Sequence, residues 1–433
     1  MLFLLTGVLL GTLGCGKKEP PPQQGETTVN TENQTTIPTE EETQPFEYPN
    51  TDLSNLSVEV LEQGVVFREE TQSFAYCAWP TVTLTDRGEA VVTFSGQRAG
   101  HIDPFGATLL CRASTDDLKF SDPVVINDTV LDDRDSGILY LGNGRMLATF
   151  FTHSAEYYET DKRNSILNGV RNSLDYRKVK EALEKYADLT DEQRKGGSYY
   201  LISEDYGETW SAPKKINITS PHGPTLLSNG NLIWVGKGHY SSDSPSMVAY
   251  ISRDSGESWS RLSLLKIPKG LESGNIAEAY TIELPDGTLL CAARGQGLDK
   301  ETWGSDLSVF FYRSENGGKS WSEPVWSGFE GAPPYLTLTE DGLLICSIGI
   351  RNKPGVGVAI HVSSDGGYTW TEKHYIALSS SFLDDPSKSV SAIDVGYPAT
   401  VLMEDGSFLT VFYTPVGTDR VPSIVYVKWK LKL

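Results

Sequence analysis

One short segment of this sequence occurs four times with small variations. It reads SEDYGETW at residues 203–210, SRDSGESW at 252–259, SENGGKSW at 314–321 and SSDGGYTW at 363–370, and a weaker fifth copy, STDDLKF, covers 114–120. Within each copy an Asp or Asn can accept hydrogen bonds from nearby backbone N–H groups, and glycine allows the positive φ of a tight turn. The final aromatic ring can pack the turn onto a sheet. The repetition predicts a strand unit that recurs along the chain.

A second repeat consists of six turn signals, each followed by an apolar run. These are DRG at 86–88, NG at 143–144 and 229–230, and DG at 286–287, 341–342 and 405–406. Their spacing, mostly about 55 to 65 residues, predicts six four-stranded blades, that is, an all-β six-bladed β-propeller. The last strand, Ser423–Lys430, is expected to pair with an early strand and close the ring.

The longest gap between turn signals contains one stretch of helical character. Asp175–Lys195 is rich in Lys, Glu, Leu and Ala with helical apolar spacing, which predicts a short helical insertion inside one blade, within about 160–197. Two roles are open for it: a lid over the mouth of the central channel, or a solvated decoration.

Composition and charge restrict the functions that the chain can have. Its 433 residues carry a formal net charge of −20, which argues against nucleic acid as a partner. A local cluster of arginines could still bind an acidic sugar. Four cysteines, Cys77, Cys111, Cys291 and Cys346, lie in strand-like runs without metal-site spacing. We expect buried free thiols, with a Cys77–Cys111 disulfide as the alternative, and no metal or cofactor.

The amino-terminal residues have a different composition from the rest. Met1–Leu13 is almost wholly apolar but too short to span a bilayer, and it leads into Thr12-Leu13-Gly14-Cys15. This resembles a bacterial lipoprotein signal, which implies lipidation of Cys15 and a cell-surface location with the lipid as the only membrane contact. The predicted domains are a signal peptide at 1–15, a disordered Pro-, Thr-, Glu- and Gln-rich tether at 16–55 and the propeller at 56–433.

The repeated segments resemble the Asp-boxes of the sialidase superfamily, whose boxes are structural and lie on the outer hairpins of a six-bladed propeller. The resemblance implies an active site with three arginines that grip the substrate carboxylate, a Tyr nucleophile, a Glu base and an Asp acid/base. Planar guanidinium groups suit a carboxylate, which would repel a carboxylate nucleophile but not a neutral Tyr hydroxyl.

Several segments resemble the family's site motifs. Tyr397, ahead of the 405–406 turn, corresponds to the nucleophile. Glu278 and Arg294 flank the hairpin at 286–287 and correspond to the base and a carboxylate-binding arginine. Arg351 ends an apolar strand and corresponds to the last arginine, and Asp103 corresponds to the acid/base.

The first arginine of the family is absent. Where the family has Arg-Ile-Pro, this chain has Ala78-Trp79-Pro80. Arg98 or Arg134 could replace the missing arginine in space, and Trp79 could stack on a sugar face. His101 is an alternative proton donor, and His222 is expected to line the channel. These residues complete the predicted substrate-binding set.

The sequence therefore predicts a retaining exo-α-sialidase-like glycoside hydrolase that acts on extracellular glycans. Two alternatives remain open. One is a non-catalytic propeller that binds glycans, and the other is a propeller enzyme, a hydrolase or a lyase, for another acidic sugar such as a uronate.

Overall fold

The computed structural model describes residues 46–71, 73–170, 172–238, 247–351, 355–388, 390 and 394–433. Within these ranges, 24 strands form six antiparallel sheets of four strands each. The predicted all-β six-bladed β-propeller is confirmed. The predicted signal peptide with Cys15, and the predicted tether as far as residue 45, lie outside the described residues.

Each blade is one sheet whose strands follow in chain order, except that the last blade also takes in the first strand. The strands are β1 Ser57–Phe67; in blade 1, β2 Tyr76–Leu84, β3 Glu89–Arg98, β4 Ala107–Ser114 and β5 Val124–Asn127; in blade 2, β6 Arg134–Gly142, β7 Arg145–Thr152, β8 Gly197–Ser203 and β9 Lys214–Ile216; in blade 3, β10 Thr225–Leu226, β11 Leu232–Lys237, β12 Met247–Ser252 and β13 Ser260–Leu264. They continue in blade 4 with β14 Ile276–Glu283, β15 Leu289–Gln296, β16 Leu307–Ser314 and β17 Val325–Trp326; in blade 5 with β18 Pro334–Leu338, β19 Leu344–Ile350, β20 Gly357–Ser363 and β21 His374–Leu378; and in blade 6 with β22 Gly396–Leu402, β23 Phe408–Val416 and β24 Val421–Lys432.

Both repeats of the sequence correspond to a fixed place in the blade. All six turn signals join the first strand of a blade to the second, as the turn at 286–287 joins β14 to β15. Every Asp-box joins the third strand to the fourth, as 363–370 joins β20 to β21. The local hydrogen-bonding needs of the turns therefore set the blade repeat.

The ring is closed by the two ends of the propeller domain. Strand β24 pairs with β1 in antiparallel register from Ser57 opposite Lys432 to Phe67 opposite Ile424. The order β1-β24-β23-β22 makes β1 the outermost strand of blade 6. This confirms the predicted pairing of the last strand with an early one, and it removes an exposed edge from β24.

The propeller domain begins earlier than the sequence predicted. Residues 46–55, assigned to the tether, belong to the same compact unit as the blades. The Asn50 amide donates to the Ser364 carbonyl (2.9 Å), and the Ser364 hydroxyl donates to the Thr51 carbonyl (3.0 Å). The boundary is corrected to residue 46, because this segment pairs with the Asp-box of blade 5.

The predicted insertion lies in blade 2, between β7 and β8. It contains α1 Arg163–Gly169, α2 Ser173–Lys185 and α3 Asp191–Arg194. Val179 and Leu183 of α2 are buried in one apolar cluster with Ala99 and Leu131, which lie beside the channel-mouth loop of blade 1. The insertion is thus packed onto the propeller through these side chains, and both predicted roles, lid and decoration, stay open. A fourth short helix, α4 Lys300–Trp303, follows β15.

The remaining core consists of apolar clusters between neighbouring blades, such as Leu147 of blade 2 with Trp234 of blade 3. Cys77, Cys111, Cys291 and Cys346 are buried free thiols. No described helix is long and apolar enough to cross a membrane. A grouping of three or more His, Cys, Asp or Glu side chains able to hold a metal is likewise absent from the described residues.

Candidate active site

Four inner strands place one residue each at an equivalent position. Trp79, Asp135, Glu278 and Tyr397 each lie nine residues before the glycine of their blade's turn. All four have left-handed backbone angles, with φ of +56°, +51°, +50° and +54°, and each sits at a break in the register of its strand pair. Such angles are costly for residues other than glycine and are typical of functional sites.

Tyr397 and Glu278 meet across the channel. The Tyr397 hydroxyl donates to Glu278 Oε1 at 2.6 Å, and both residues are about 6% exposed. Arg294 Nη1 lies 2.5 Å from Glu278 Oε2 and donates to Tyr397 Oη at 3.3 Å. The structure thus brings the predicted nucleophile, base and one predicted arginine into a single cluster.

The charges around Tyr397 define its resting state. Burial, and then the Glu278 carboxylate, raise the pKa of Tyr397 well above its usual value, while Arg294 and Arg351 oppose the shift. Tyr397 is therefore neutral at rest. Its proton already points at Glu278, so removal of that proton during an attack requires no rearrangement.

Arg351 approaches Tyr397 from blade 5. Its Nε donates to the Val395 carbonyl (3.1 Å), and its guanidinium carbon lies 5.9 Å from the centre of the Tyr397 ring. Its Nη2 is buried without a hydrogen-bond partner among the described residues. Because a buried unpaired guanidinium N–H is costly, this atom is suited to an anionic ligand.

Arg98 does not take the place of the missing arginine. Its side chain is fully buried and forms an ion pair with Asp132 through both terminal nitrogens, and Nη2 also donates to the His101 carbonyl (3.1 Å). The prediction that Arg98 binds substrate is corrected. Its guanidinium is saturated by the protein, and the partner carboxylate is held in turn by Tyr158 of the insertion (3.3 Å).

Arg134 is nearer to the channel, but it lies over Trp79. Its guanidinium carbon is 4.0 Å from the centre of the indole ring, Nη1 donates to the His101 carbonyl (2.9 Å), and Nε is buried without a described partner. Trp79 itself is 1% exposed. The predicted stacking of Trp79 on a sugar is corrected, because Arg134 covers the ring. The Tyr397 ring also packs edge-on against it, with the two ring centres 6.4 Å apart.

Asp103 holds its own loop together. It is 1% exposed, with Oδ2 accepting from the Ala99 amide (2.7 Å) and Oδ1 from the Phe105 amide (3.0 Å). Burial raises its pKa to about 7. The predicted acid/base role is corrected for this conformation: both oxygens are engaged by backbone amides, and the side chain has no access to a substrate.

The two predicted histidines differ in position. His101 lies in the loop that follows β3, with Nδ1 2.8 Å from the Tyr76 hydroxyl oxygen, and burial and nearby arginines lower its pKa well below the usual value. His222 is 1% exposed and 2.9 Å from the Thr81 hydroxyl, packed edge-on against Tyr335. His222 is corrected to a buried packing residue, since aromatic rings enclose it.

Asp135 is the residue that sequence reasoning missed. The Glu278 carboxylate raises the pKa of Asp135 and Arg294 lowers it, and Asp135 in turn raises the pKa of Tyr397, so Asp135 lies near this cluster. The signal was present in the sequence: the nine-residue spacing that precedes Gly144 is the one that picks out Glu278 and Tyr397.

Comparison with known proteins agrees with this fold. Residues 232–403 match the model of the BNR repeat-like domain. No curated protein matches the sequence. Among solved structures, a protein of unknown function from Dyadobacter fermentans is 18% identical with a TM-score of 0.66, over 87% of this chain and 100% of that one.

Sialidases share the same architecture. The intramolecular trans-sialidase from Ruminococcus gnavus is 14% identical with a TM-score of 0.58, over 84% of this chain and 96% of that one. A Hadza microbial sialidase is 14% identical with a TM-score of 0.59, over 84% of this chain and 68% of that one. At these identities the likeness concerns the fold. The chain therefore has the propeller fold of these sialidases, and residues 232–403 of it match the BNR repeat-like domain.

Proposed function

We propose that this protein is a retaining exo-glycosidase that removes a terminal acidic sugar, with sialic acid as the first candidate, from extracellular glycans. The observation that supports this best is the 2.6 Å hydrogen bond from Tyr397 to Glu278, with Arg294 Nη1 3.3 Å from the hydroxyl oxygen and the Arg351 guanidinium carbon 5.9 Å from the centre of the ring. A neutral Tyr with a paired base can attack an anomeric carbon that carries a carboxylate, whereas a carboxylate nucleophile would be repelled.

The roles within the cluster follow from its contacts. Arg294 and Arg351 would bind the substrate carboxylate, because guanidinium N–H groups pair with such anions. Glu278 would accept the Tyr397 proton as the hydroxyl oxygen attacks. The resulting glycosyl-tyrosine would then be hydrolysed by water, with retention of configuration.

A second function is favoured by one observation. Trp79 occupies the place of the family's first arginine, and Arg98 is fully engaged by Asp132, so two guanidinium groups rather than three lie beside Tyr397. A site with fewer arginines fits a non-catalytic glycan-binding propeller, or an enzyme for a smaller acidic sugar such as a uronate.

Turnover of a fluorogenic sialoside beside a panel of fluorogenic uronides tests these alternatives. We expect turnover of one acidic glycoside by the wild type and a loss of several powers of ten in Tyr397→Phe, which removes one oxygen and keeps the ring. Tyr312→Phe is the matched control, because Tyr312 is a buried tyrosine of β16 whose hydroxyl lacks a described partner. An enzyme that is fully active after Tyr397→Phe would contradict the proposal.

A binding-only propeller would give a different pattern. The wild type would turn over no glycoside of the panel, yet it would bind an acidic glycan in calorimetry and lose that binding with Arg294→Ala.

We also propose that the protein is held at the cell surface by a lipid on Cys15, on the strength of the signal-like sequence that ends there. Cys15→Ser should move the protein from the membrane fraction to the soluble fraction. A wild-type protein that is already soluble and keeps residues 1–15 would overturn this.

A further inference from the structure

A retaining glycosidase needs an acid to protonate the departing oxygen, and the predicted donors are poorly suited to that role. Both oxygens of Asp103 accept backbone amides, and the residue is 1% exposed. His101 has Nδ1 beside the Tyr76 hydroxyl, which donates to Asp394 (3.0 Å). Burial, and then the positive charges of four arginines, lower the pKa of His101; the arginines are Arg134, Arg98, Arg351 and Arg294. His101 is therefore neutral at rest.

Asp135 has the placement that those two residues lack. It occupies on β6 the same left-handed position that Glu278 occupies on β14 and Tyr397 on β22. Its side chain is 6% exposed and takes part in no hydrogen bond within the part of the chain that the structure describes. A buried carboxyl group with no protein partner at a functional position is suited to a ligand atom.

We propose that Asp135 is the acid/base of this active site. The inference rests on the proposed glycosidase function and assigns the one role that the function leaves open.

The two chemical steps balance with the residues named. In the first, the Tyr397 oxygen bonds to the anomeric carbon and its proton passes to Glu278, while the bond to the leaving oxygen breaks and that oxygen takes the Asp135 proton. In the second, a water gives its proton to Asp135 as its oxygen bonds to the anomeric carbon. The bond to Tyr397 breaks, and Glu278 returns the proton to the Tyr397 oxygen.

The groups that face Asp135 support both protonation states of this cycle. The pKa of Asp135 is raised to about 7: burial is the largest cause and Glu278 adds to it, while Arg134, Arg294 and Arg98 lower the pKa. Tyr397 and Tyr413 also face it and are neutral, since their own pKa values are raised. The acid is therefore protonated in slightly acidic solution, and the arginines stabilise the carboxylate left after proton transfer.

The test uses leaving groups of different acidity with the full-length chain. One probe is the 4-methylumbelliferyl sialoside, whose acidic phenol can leave as an anion without being protonated. The other is sialyllactose, whose lactose leaving group must be protonated as it departs. We expect Asp135→Asn to lower kcat/KM for sialyllactose by about 10²- to 10⁴-fold and for the aryl sialoside by less than about tenfold. Azide should accelerate turnover of the aryl sialoside by this variant, because it attacks the glycosyl-tyrosine without a base.

Asp103→Asn is the matched control and should change kcat/KM for both probes by the same factor. Two results would overturn the inference while the glycosidase proposal stands: equal loss on both probes with Asp135→Asn, or a selective loss on sialyllactose with Asp103→Asn instead. If the wild type is inert on both probes and on the panel of uronides, the glycosidase proposal and the Asp135 assignment fail together.

Discussion

Tyr397 and Glu278 have φ angles of +54° and +50°, values that side chains other than glycine rarely adopt. Each such angle costs about 1–3 kcal/mol, which the surrounding blades must offset. What the strain achieves is orientation: it places the hydroxyl and the carboxylate 2.6 Å apart without a loop that could move. A pre-formed pair of this kind lowers the cost of reaching the reactive geometry.

The role of Glu278 can be tested by a change of one atom. Glu278→Gln keeps the shape of the side chain but cannot accept the Tyr397 proton as a carboxylate does. We expect kcat to fall by about 10²- to 10⁴-fold with little change in glycan binding. The measurement is steady-state turnover of the preferred glycoside together with calorimetric binding.

Glu283→Gln is the control for this prediction. Glu283 ends the same strand, β14, at the opposite end, where its carboxylate accepts from the Ser228 amide (2.5 Å). We expect it to leave kcat unchanged. A Glu278→Gln enzyme that keeps the wild-type rate would show that Tyr397 does not depend on this carboxylate.

At the level of the element, the Asp-box explains why the blades recur. The Asp365 carboxylate of blade 5 accepts from the Thr369 amide (2.9 Å), the Thr369 hydroxyl (2.6 Å) and the Ser363 hydroxyl (2.7 Å). In blade 4 an asparagine side chain takes the place of the aspartate. Asn316 Oδ1 accepts from the Ser320 backbone amide (2.9 Å), and Asn316 Nδ2 donates to the Ser320 hydroxyl (2.8 Å).

This equivalence yields a prediction about stability. Asp365→Ala removes the hydrogen bonds that Ser363, Tyr368 and Thr369 donate to the carboxylate and should lower the free energy of unfolding by about 1–3 kcal/mol, while Asp365→Asn should recover most of that loss. The measurement is the denaturant midpoint of each variant, with turnover as a second readout that should not change. Loss of turnover at native stability in Asp365→Ala would mean that the box takes part in function.

The sequence predicts the elements well because their signals are local. A turn needs its Asp and Gly at fixed offsets, so the six hairpins and the Asp-boxes could be located from residues such as Gly287 and Asp365 alone. The cluster of Tyr397, Glu278 and Arg294 was predicted from the resemblance of their segments, each beside such a turn, to the site motifs of the sialidase superfamily.

The remaining site residues depend on contacts between distant parts of the chain. Arg98 is buried because Asp132 of the next blade and Tyr158 of the insertion meet it there. Trp79 is covered because Arg134 lies over its ring. No offset in the sequence specifies these pairings, and the substrate-binding roles of Arg98 and Trp79 were therefore mispredicted.

For the whole molecule, buried carboxyl groups make stability depend on pH. Burial raises the pKa of Asp103 to about 7, of Asp133 to about 8 and of Asp135 to about 7. Between about pH 4 and those values, the folded chain keeps protons that the unfolded chain has released. Stability should therefore fall as pH rises, by about 1.4 kcal/mol per pH unit for each such group.

We predict a lower free energy of unfolding at pH 8 than at pH 5, measured by denaturant titration at both values. Asp135→Asn should reduce this difference, because the amide is neutral at every pH and Asp135 has no described hydrogen bond to lose. The same difference between pH 5 and pH 8 in the wild type and in Asp135→Asn would contradict a raised pKa for Asp135.

Covalent trapping bears most directly on Tyr397 as the nucleophile. The wild type would be incubated with 2,3-difluorosialic acid, a sialosyl fluoride that forms a slowly hydrolysed glycosyl-enzyme. The protein would then be digested for peptide mass analysis. We expect one sugar attached to the Tyr397 oxygen in the wild type and none in Tyr397→Phe. A sugar attached to any other side chain would contradict the assignment of Tyr397. Turnover of the same sialosyl fluoride without any trapped adduct would contradict it as well.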